Sequence, residues 1–173
     1  MALRQIVTLP NQVLRRKARK VNDFGADLQQ LIDDMVDTMR NEPGVGLAAT
    51  QVGVPLRVIV VEYGSDEDEK APAKLYAVVN PEFSRVSSDM ILGTEGCLSI
   101  PGYLGDVDRH ESVVVKGLNR RGQAVTIKAK GWLARIFQHE VDHLDGILFV
   151  DRAEKVWRAP QEPEASTEPQ IGD

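Results

Sequence analysis

The sequence predicts an α+β fold in which mostly antiparallel sheets pack around a buried helix. The predicted strands and helices are segregated along the chain instead of alternating, and no repeat with a period of about 20 to 50 residues is present. The chain has 173 residues, 42% of them hydrophobic, which suffices for one hydrophobic core. We therefore expect a single domain over residues 1–158.

One helix and one strand are predicted in the first part of this domain. Six apolar residues recur at intervals that place them on one helical face, and Pro43 and Gly44 mark the end of that helix. The small residues of Gly44 to Pro55 allow backbone segments to approach closely. The β-branched run Arg57 to Tyr63 then predicts a buried strand. The helical stripe consists of Leu28, Leu31, Ile32, Met35, Val36 and Met39.

A meander of strands and a second helix are predicted in the remainder. The acidic segment Gly64 to Pro72 lacks large apolar side chains, so we expect a solvated loop. Asn119 to Gly122 suits a hairpin turn, and Gly131 to Asp145 predicts a helix closed by Gly146. Residues Ala159 to Asp173 are rich in Pro, Glu and Ser and are predicted to be disordered. The predicted strands are Leu75 to Val79, Glu82 to Leu92, Ser112 to Leu118 and Ala124 to Ala129.

Charge and hydropathy exclude several classes of function. With 21 basic and 26 acidic residues the net charge is -5, so no general nucleic-acid binding is expected. No apolar run approaches the roughly 20 residues that span a bilayer, and the start of the chain lacks the apolar core of a secretory signal. These features predict a cytoplasmic protein that does not enter membranes.

The second predicted helix carries two histidines four residues apart. Positions separated by four lie one turn apart on one helical face, so His139 and His143 can reach the same ion, with Glu140 beside them. This HExxH spacing is typical of metal-dependent hydrolases in which the glutamate moves protons. The alternative, a pair of hydrogen-bonded core histidines, is less frequent for this spacing. A helical wheel predicts a solvent face formed by Ala134, Arg135, Gln138, Asp142 and Asp145.

A catalytic metal site usually has three protein ligands and one position open to water. No histidine follows His143, and the other histidine, His110, lies among charged residues where a surface or ion-paired role is expected. Cys97 is the better candidate, because Gly96 permits tight backbone geometry beside its thiolate. One cysteine and two histidines suit zinc or ferrous iron, whereas the soft thiolate argues against magnesium and calcium.

Three segments together resemble the motifs of the peptide deformylases. They are GVGLAATQ at Gly44 to Gln51, EGCLS at Glu95 to Ser99 and QHEVDHLDG at Gln138 to Gly146, in the order and spacing of that family. The opening segment is similar as well, so the resemblance covers about Ile6 to Val150. It implies a catalytic domain that removes the formyl group from the N-terminal formyl-methionine of newly made polypeptides and releases formate.

The resemblance also implies a role for each site residue. Glu140 would act as general base and acid, while Gln51 and the backbone N–H of Leu98 would stabilise the negative charge that develops on oxygen. The implied ion is Fe²⁺, and Zn²⁺, Ni²⁺ or Co²⁺ also occupy such sites. The implied metal ligands are Cys97, His139 and His143. Residues that line or support the implied methionine pocket are Val45, Gly46, Glu95, Gly96 and Ile136.

Several alternatives remain open on the residues alone. A metallopeptidase would cleave internal peptide bonds, and a cysteine hydrolase would use Cys97 as nucleophile without a metal. A structural metal site would need a fourth protein ligand. The basic segment Leu14 to Lys20 is either a solvated surface or a contact with the ribosome near the exit of the nascent chain.

Overall fold

The computed structural model describes residues 2–160 and confirms the α+β class, with two antiparallel sheets and few helices. The helices are α1 (Ala26–Asn41), α2 (Gly131–Leu144) and α3 (Phe149–Arg152), with 3₁₀ segments at Gln12–Arg15 and Ala49–Val52. The strands are β1 (Gly46–Ala48), β2 (Val58–Tyr63), β3 (Lys74–Val86), β4 (Met90–Cys97), β5 (Ile100–His110), β6 (Ser112–Leu118), β7 (Ala124–Lys130) and β8 (Lys155–Arg158). The larger sheet has the order β1-β2-β3-β6-β7 and the smaller one β4-β5-β8.

The larger sheet lies between α1 and α2, and strand β2 shows why. Successive side chains of a strand point to opposite faces. Val58 and Val60 pack in the cluster that contains the apolar stripe of α1, whereas Ile59 and Val61 pack with the apolar residues of α2. All four side chains are buried, and so are all six stripe residues of α1. The predicted helix and the predicted buried strand are therefore both present.

Helix α2 contacts both sheets. It packs on β1, β2, β6 and β7 of the larger sheet and on β5 of the smaller one. The helix ends at Leu144, and Gly146 follows with a φ of 74° and donates its N–H to the carbonyl oxygen of His143 at 3.1 Å. A Cβ atom at Gly146 would lie 2.6 Å from the carbonyl oxygen of Arg15, so both the backbone angle and the space require glycine.

The predicted strands at Leu75 to Val79 and Glu82 to Leu92 are divided differently in the structure. Strand β3 continues through Pro81 to Val86, with a register shift between Val79 and Glu82 and a positive φ of 52° at Asn80. These irregularities let the strand pass a residue that has no N–H to donate. The chain turns instead before Met90, where β4 begins.

Strand β5 was not predicted, although it forms the centre of the smaller sheet. Its sequence includes Pro101, Gly102 and Gly105, which hide the alternation that identifies strands. β4 and β5 form a tight hairpin in which Cys97 pairs with Ile100, so Cys97 lies at the tip. The short elements α3 and β8, also not predicted, cover the other side of β5.

Two predictions concern segments near the ends of the described chain, namely the basic segment and the disordered tail. In the basic segment, Leu14 and Ala18 are buried while Arg16 and Lys17 are exposed. Of the predicted disordered tail, Ala159 donates its N–H to the carbonyl oxygen of Gly102 at 2.8 Å, and residues 161–173 lie outside the described residues. Within residues 2–160 no helix is long and apolar enough to cross a membrane.

Candidate active site

Two neighbouring elements bring the three candidate metal ligands together. Cys97 lies at the tip of the β4–β5 hairpin, and His139 and His143 lie on successive turns of α2. The Cys97 Sγ atom is 3.3 Å from Nε2 of His143, and the three candidate ligand atoms lie within 4.8 Å of one another. Ligand bonds of about 2.0 to 2.3 Å around one tetrahedral ion produce separations of this size. Among residues 2–160 no other histidine, cysteine or carboxylate joins the group as a fourth ligand.

Glu95 orients His139 from behind. The Oε1 atom of Glu95 lies 2.7 Å from Nδ1 of His139, which leaves the other ring nitrogen of His139 available for a metal. Arg109 donates to both carboxylate oxygens of Glu95 at 2.9 Å, and Arg135 donates to Oε2 at 2.7 Å. Burial raises the pKa of Glu95, but the hydrogen bonds from Arg109 and His139 outweigh it and hold that pKa well below its usual range. Glu95 is therefore a buried anion at neutral pH.

The two histidines differ in their proton affinity. Burial lowers the pKa of His143 well below its usual range, and the charges of His139 and Arg109 lower it further. Burial also opposes charge on His139, but hydrogen bonds to Cys97 and Glu95 raise its pKa above the usual value. His143 is consequently neutral at neutral pH and offers a lone pair, whereas His139 holds a proton more strongly than an ordinary histidine.

The prediction that five residues form a solvent face of α2 is wrong for four of them. Ala134, Arg135, Gln138 and Asp142 are at most 8% exposed, and of the predicted five only Asp145 is exposed. The polar members are buried because each has partners on other elements. Asp142 Oδ2 accepts hydrogen bonds from Arg109 and Arg152, both at 2.6 Å. Gln138 exchanges hydrogen bonds with the backbone N–H and C=O of His110, both at 2.9 Å.

His110 belongs to the hairpin framework and lies outside the group of candidate ligands. His110 is half-buried and its Nδ1 atom is 2.7 Å from the carbonyl oxygen of Ser87, so a backbone contact stands where the sequence predicts a surface or ion-paired histidine.

Glu140 lies directly against the backbone of β1. A Cβ atom at Gly46 would stand 2.7 Å from Oε2 of Glu140, so the glycine of the GVG segment makes room for this carboxylate. Burial raises the pKa of Glu140 to about 7, and the opposing effect of His139 is smaller. A carboxylate with a pKa near neutrality can both accept and return a proton at physiological pH.

The side-chain amide of Gln51 is held in one orientation. Its Oε1 atom accepts the backbone N–H of Ala48 at 3.0 Å, so its NH₂ group points the other way. There Nε2 lies 3.2 Å from Oγ of Ser99 and 3.5 Å from Sγ of Cys97. Gln51 is 2% exposed, and the donor of its amide is aimed at Cys97 and Ser99.

A cavity of about 590 Å³ opens beside these groups. Cys97, His139, Glu140 and Gln51 line it, and so does Leu98. The five residues expected to line or support a methionine pocket also border it, namely Val45, Gly46, Glu95, Gly96 and Ile136. Every site residue named from the sequence thus lines this cavity except His143, which is 1% exposed and joins the group of three candidate ligands through its Nε2 atom, 3.3 Å from Sγ of Cys97.

Arg109 and Arg135 are the site residues that sequence analysis missed. Arg109 stands in a run of charged residues, which resembles a surface segment. Arg135 stands in the apolar run Leu133 to Phe137, and an arginine between so many apolar neighbours was a signal of burial. Its partner could not be identified from that signal, because Glu95 lies 40 residues away in the chain.

The sequence matches the family described as polypeptide deformylase over residues 3–159. The chain is 46% identical to the peptide deformylase of Symbiobacterium thermophilum over 173 residues, which cover 100% of this chain and 77% of that protein. It is 47% identical to the peptide deformylase of Natranaerobius thermophilus over 158 residues, covering 91% of this chain and 97% of that one.

Solved structures are similar over nearly the same range. The crystal structure of peptide deformylase from Ehrlichia chaffeensis in complex with actinonin has a TM-score of 0.83 at 38% identity, covering 90% of this chain and 91% of that chain. The peptide deformylase of Thermotoga maritima has a TM-score of 0.81 at 36% identity, covering 90% and 100%.

Proposed function

Because this chain belongs to the peptide deformylase family, it is a metal-dependent hydrolase that removes N-terminal formyl groups from nascent polypeptides, and we propose that Cys97, His139 and His143 bind its ion. The observation that carries this assignment is the approach of one thiol and two imidazoles to within 4.8 Å beside an open cavity. A site with three protein ligands leaves room for water, whereas a structural site encloses its ion.

We propose Fe²⁺ as the native ion, with Zn²⁺, Ni²⁺ or Co²⁺ able to replace it. A thiolate with two imidazoles suits these borderline cations, and it disfavours Mg²⁺ and Ca²⁺, which prefer oxygen ligands. When bound, such an ion lowers the pKa of water from 15.7 toward about 7 and polarises a carbonyl oxygen.

Glu140 moves the proton in the proposed mechanism. Its carboxylate accepts a proton as water attacks the formyl carbon, and it returns that proton to the departing amine nitrogen. Protonation of the amine is necessary because an amide anion is a poor leaving group. The pKa of about 7 supports both steps, since neither protonation state of Glu140 is strongly disfavoured at neutral pH.

Gln51 and Leu98 stabilise the transition state in this proposal. Negative charge develops on the formyl oxygen during attack, and N–H donors fixed in advance stabilise it most strongly. The amide of Gln51 is fixed by its hydrogen bond to Ala48, which supports this role for its Nε2 donor. Leu98 follows Cys97 directly, so its backbone N–H would act on the same side of the substrate.

The cavity next to the ligands is proposed to bind the methionine side chain. Apolar groups of Val45, Leu98 and Ile136 border it, and these suit a flexible thioether. Glu95 borders the cavity as well, but its oxygens are occupied by Arg109, Arg135 and His139. We therefore propose that Glu95 supports the pocket and does not bind the substrate.

The natural substrates are the formyl-methionyl ends of growing chains, which places the proposed work of this enzyme in the cytoplasm near the ribosome. The exposed charges of Arg16 and Lys17 would favour ribosomal RNA at close range despite the net charge of -5. We further propose that residues 1–158 form one catalytic domain.

Formate release from a formyl-methionyl peptide tests the proposal. We expect the metal-loaded enzyme to be active, a chelator to abolish activity, and added Fe²⁺ or Zn²⁺ to restore it. Glu140→Ala should retain metal affinity and lose about 10²- to 10⁴-fold in turnover. A metal-loaded Glu140→Ala enzyme with a normal rate would show that another group moves the proton.

The alternative that Cys97 is a nucleophile is distinguished by the same assay. A cysteine hydrolase would remain active after removal of the metal. Cleavage of internal peptide bonds would instead indicate a metallopeptidase, so an unformylated peptide serves as the control substrate.

A further inference from the structure

Arg135 is a buried arginine one helical turn before His139. Its exposed fraction is 5%, although it lies on the side of α2 that the helical wheel assigns to solvent. A guanidinium loses its hydration when buried and must be fully paired in compensation. The hydrogen-bond partners of Arg135 therefore indicate the role of this buried side chain.

Three acceptors on the smaller sheet receive the hydrogen bonds of Arg135. Nη1 donates to Oε2 of Glu95 at 2.7 Å and to the carbonyl oxygen of Val107 at 2.9 Å. Nη2 donates to the carbonyl oxygen of Ile91 at 2.6 Å. Ile91 and Glu95 belong to β4, and Val107 belongs to β5. One side chain of α2 thus binds both strands of the hairpin that carries Cys97.

Arg135 also completes the environment of Glu95. A carboxylate accepts about four hydrogen bonds. Oε1 of Glu95 contacts His139 at 2.7 Å and Arg109 at 2.9 Å, while Oε2 accepts from Arg109 at 2.9 Å and from Arg135 at 2.7 Å. With every acceptor position used, the carboxylate has one stable orientation, and that orientation sets the ring of His139.

We propose that Arg135 is a positioning residue for the metal site, which holds the helix of His139 and His143 at a fixed distance from the hairpin of Cys97. The inference rests on the proposed ligand set. It goes beyond that set because the hydrogen bonds of Arg135 go to Glu95 and to the two strands and not to a candidate ligand.

Gly93 supplies a second, independent indication that the guanidinium has one required position. A Cβ atom at Gly93 would lie 2.7 Å from Cζ of Arg135, 2.8 Å from Nη2 and 2.9 Å from Nε. The end of an arginine side chain usually moves aside at little cost. Here three hydrogen bonds hold it, so a methyl group at Gly93 must displace the guanidinium from its acceptors.

Two variants and one control test the proposal. Arg135→Lys keeps the positive charge, but an ammonium cannot serve acceptors in the three directions that a planar guanidinium reaches. Gly93→Ala keeps every charge and displaces Arg135. Arg120→Lys is the matched control, because Arg120 also binds three acceptors, two on Gln29 and one on Asp33, at a surface contact between the β6–β7 turn and α1.

The readouts are the zinc affinity of metal-free protein, measured against a competing chelator, and the absorption bands of the cobalt-substituted protein, which report ligand geometry. We expect Arg135→Lys and Gly93→Ala each to weaken zinc binding by about 10- to 100-fold and to shift the cobalt bands. Arg120→Lys should change neither readout. Gly93→Ala should add little in an Arg135→Lys background, because both changes act through one contact.

Wild-type zinc affinity and cobalt bands in Arg135→Lys or in Gly93→Ala would overturn the proposal, as would full additivity in the double variant. If one variant fails to fold, the other decides on the same two readouts. Formate release by the zinc-loaded wild type is measured in parallel. An inactive wild type would count against the proposed function, whereas the affinity comparison would still decide the role of Arg135.

Discussion

The two long helices, α1 and α2, bury their side chains in different ways. Helix α1 covers one face of the larger sheet, and its apolar stripe accounts for most of its buried residues. Helix α2 contacts both sheets, and its buried residues include Arg135, Gln138, Glu140 and Asp142. A polar residue on α1 can usually face water, whereas one on α2 needs a partner inside the protein.

The hydrogen-bond partners of the polar residues on α2 explain why these residues are buried. Arg135 and Gln138 bind atoms of β4 and β5, and Asp142 binds Arg109 of β5 and Arg152 of α3. These contacts fix the helix against the hairpin that carries Cys97. We propose that polar burial in α2 serves the geometry of the candidate metal site, whereas apolar burial in α1 serves stability.

Asp142→Asn should destabilise the protein by roughly 3–5 kcal/mol, because it removes one partner of a buried ion pair and leaves Arg109 short of negative charge. Asparagine keeps the shape of the side chain, so the effect reports charge and not packing. Denaturant unfolding of the metal-free protein measures it. Asp37→Asn on the half-buried side of α1 is the control, with an expected change of about 0.5 kcal/mol or less. Equal losses in the two variants would contradict the distinction between the helices.

Met35→Ala should destabilise the protein by about 2–5 kcal/mol, since Met35 is fully buried in the α1 core and truncation leaves a cavity. The folded variant should bind zinc as tightly as the wild type, because Met35 packs in an apolar cluster that contains none of the three candidate ligands. Unfolding curves and zinc titrations on the same samples separate the two effects. A fall in zinc affinity comparable to that expected for Arg135→Lys would remove the contrast.

Glu140→Gln should make the metal-free protein more stable than the wild type at pH 8, by about 3 kcal/mol. Burial raises the pKa of Glu140 from 4.5 to about 7, so between these values the folded state holds a proton that the unfolded state has lost. Wild-type stability from this group therefore falls as pH rises through that window and stays constant above it. Glutamine does not titrate.

The measurement is the stability difference between Glu140→Gln and the wild type from pH 4.5 to pH 8, in which the titrations of groups that do not interact with Glu140 cancel. A stability difference that does not change with pH would show that burial does not raise the pKa of the Glu140 carboxylate.

Elements with a regular apolar period could be predicted from the sequence. The apolar stripe of α1 and the β-branched run of β2 could be recognised because each pattern lies within a short stretch of the sequence. Strand β5 was missed since Pro101, Gly102 and Gly105 interrupt its alternation. The HExxH spacing predicted His139 and His143 as candidate ligands, and the scarcity of other soft ligands led to Cys97 as the third candidate.

The hydrogen-bonded surroundings of the site could not be predicted in the same way. A helical wheel treats Arg135 and Asp142 as surface residues, because polarity alone does not distinguish a solvent contact from an internal partner. Their partners lie on β4, β5 and α3 and become neighbours only in the folded chain. Two of these elements, β5 and α3, were themselves absent from the predicted set.

The central claim is that one sulfur and two imidazole nitrogens hold a single ion that keeps a position open to water. X-ray absorption spectroscopy of the zinc-loaded protein tests it most directly, because sulfur and nitrogen scatter differently. We predict one sulfur ligand from Cys97, two imidazole ligands from His139 and His143, and one further oxygen that a formate-like inhibitor displaces. A spectrum without sulfur, or one with four protein ligands and no exchangeable oxygen, would contradict the account.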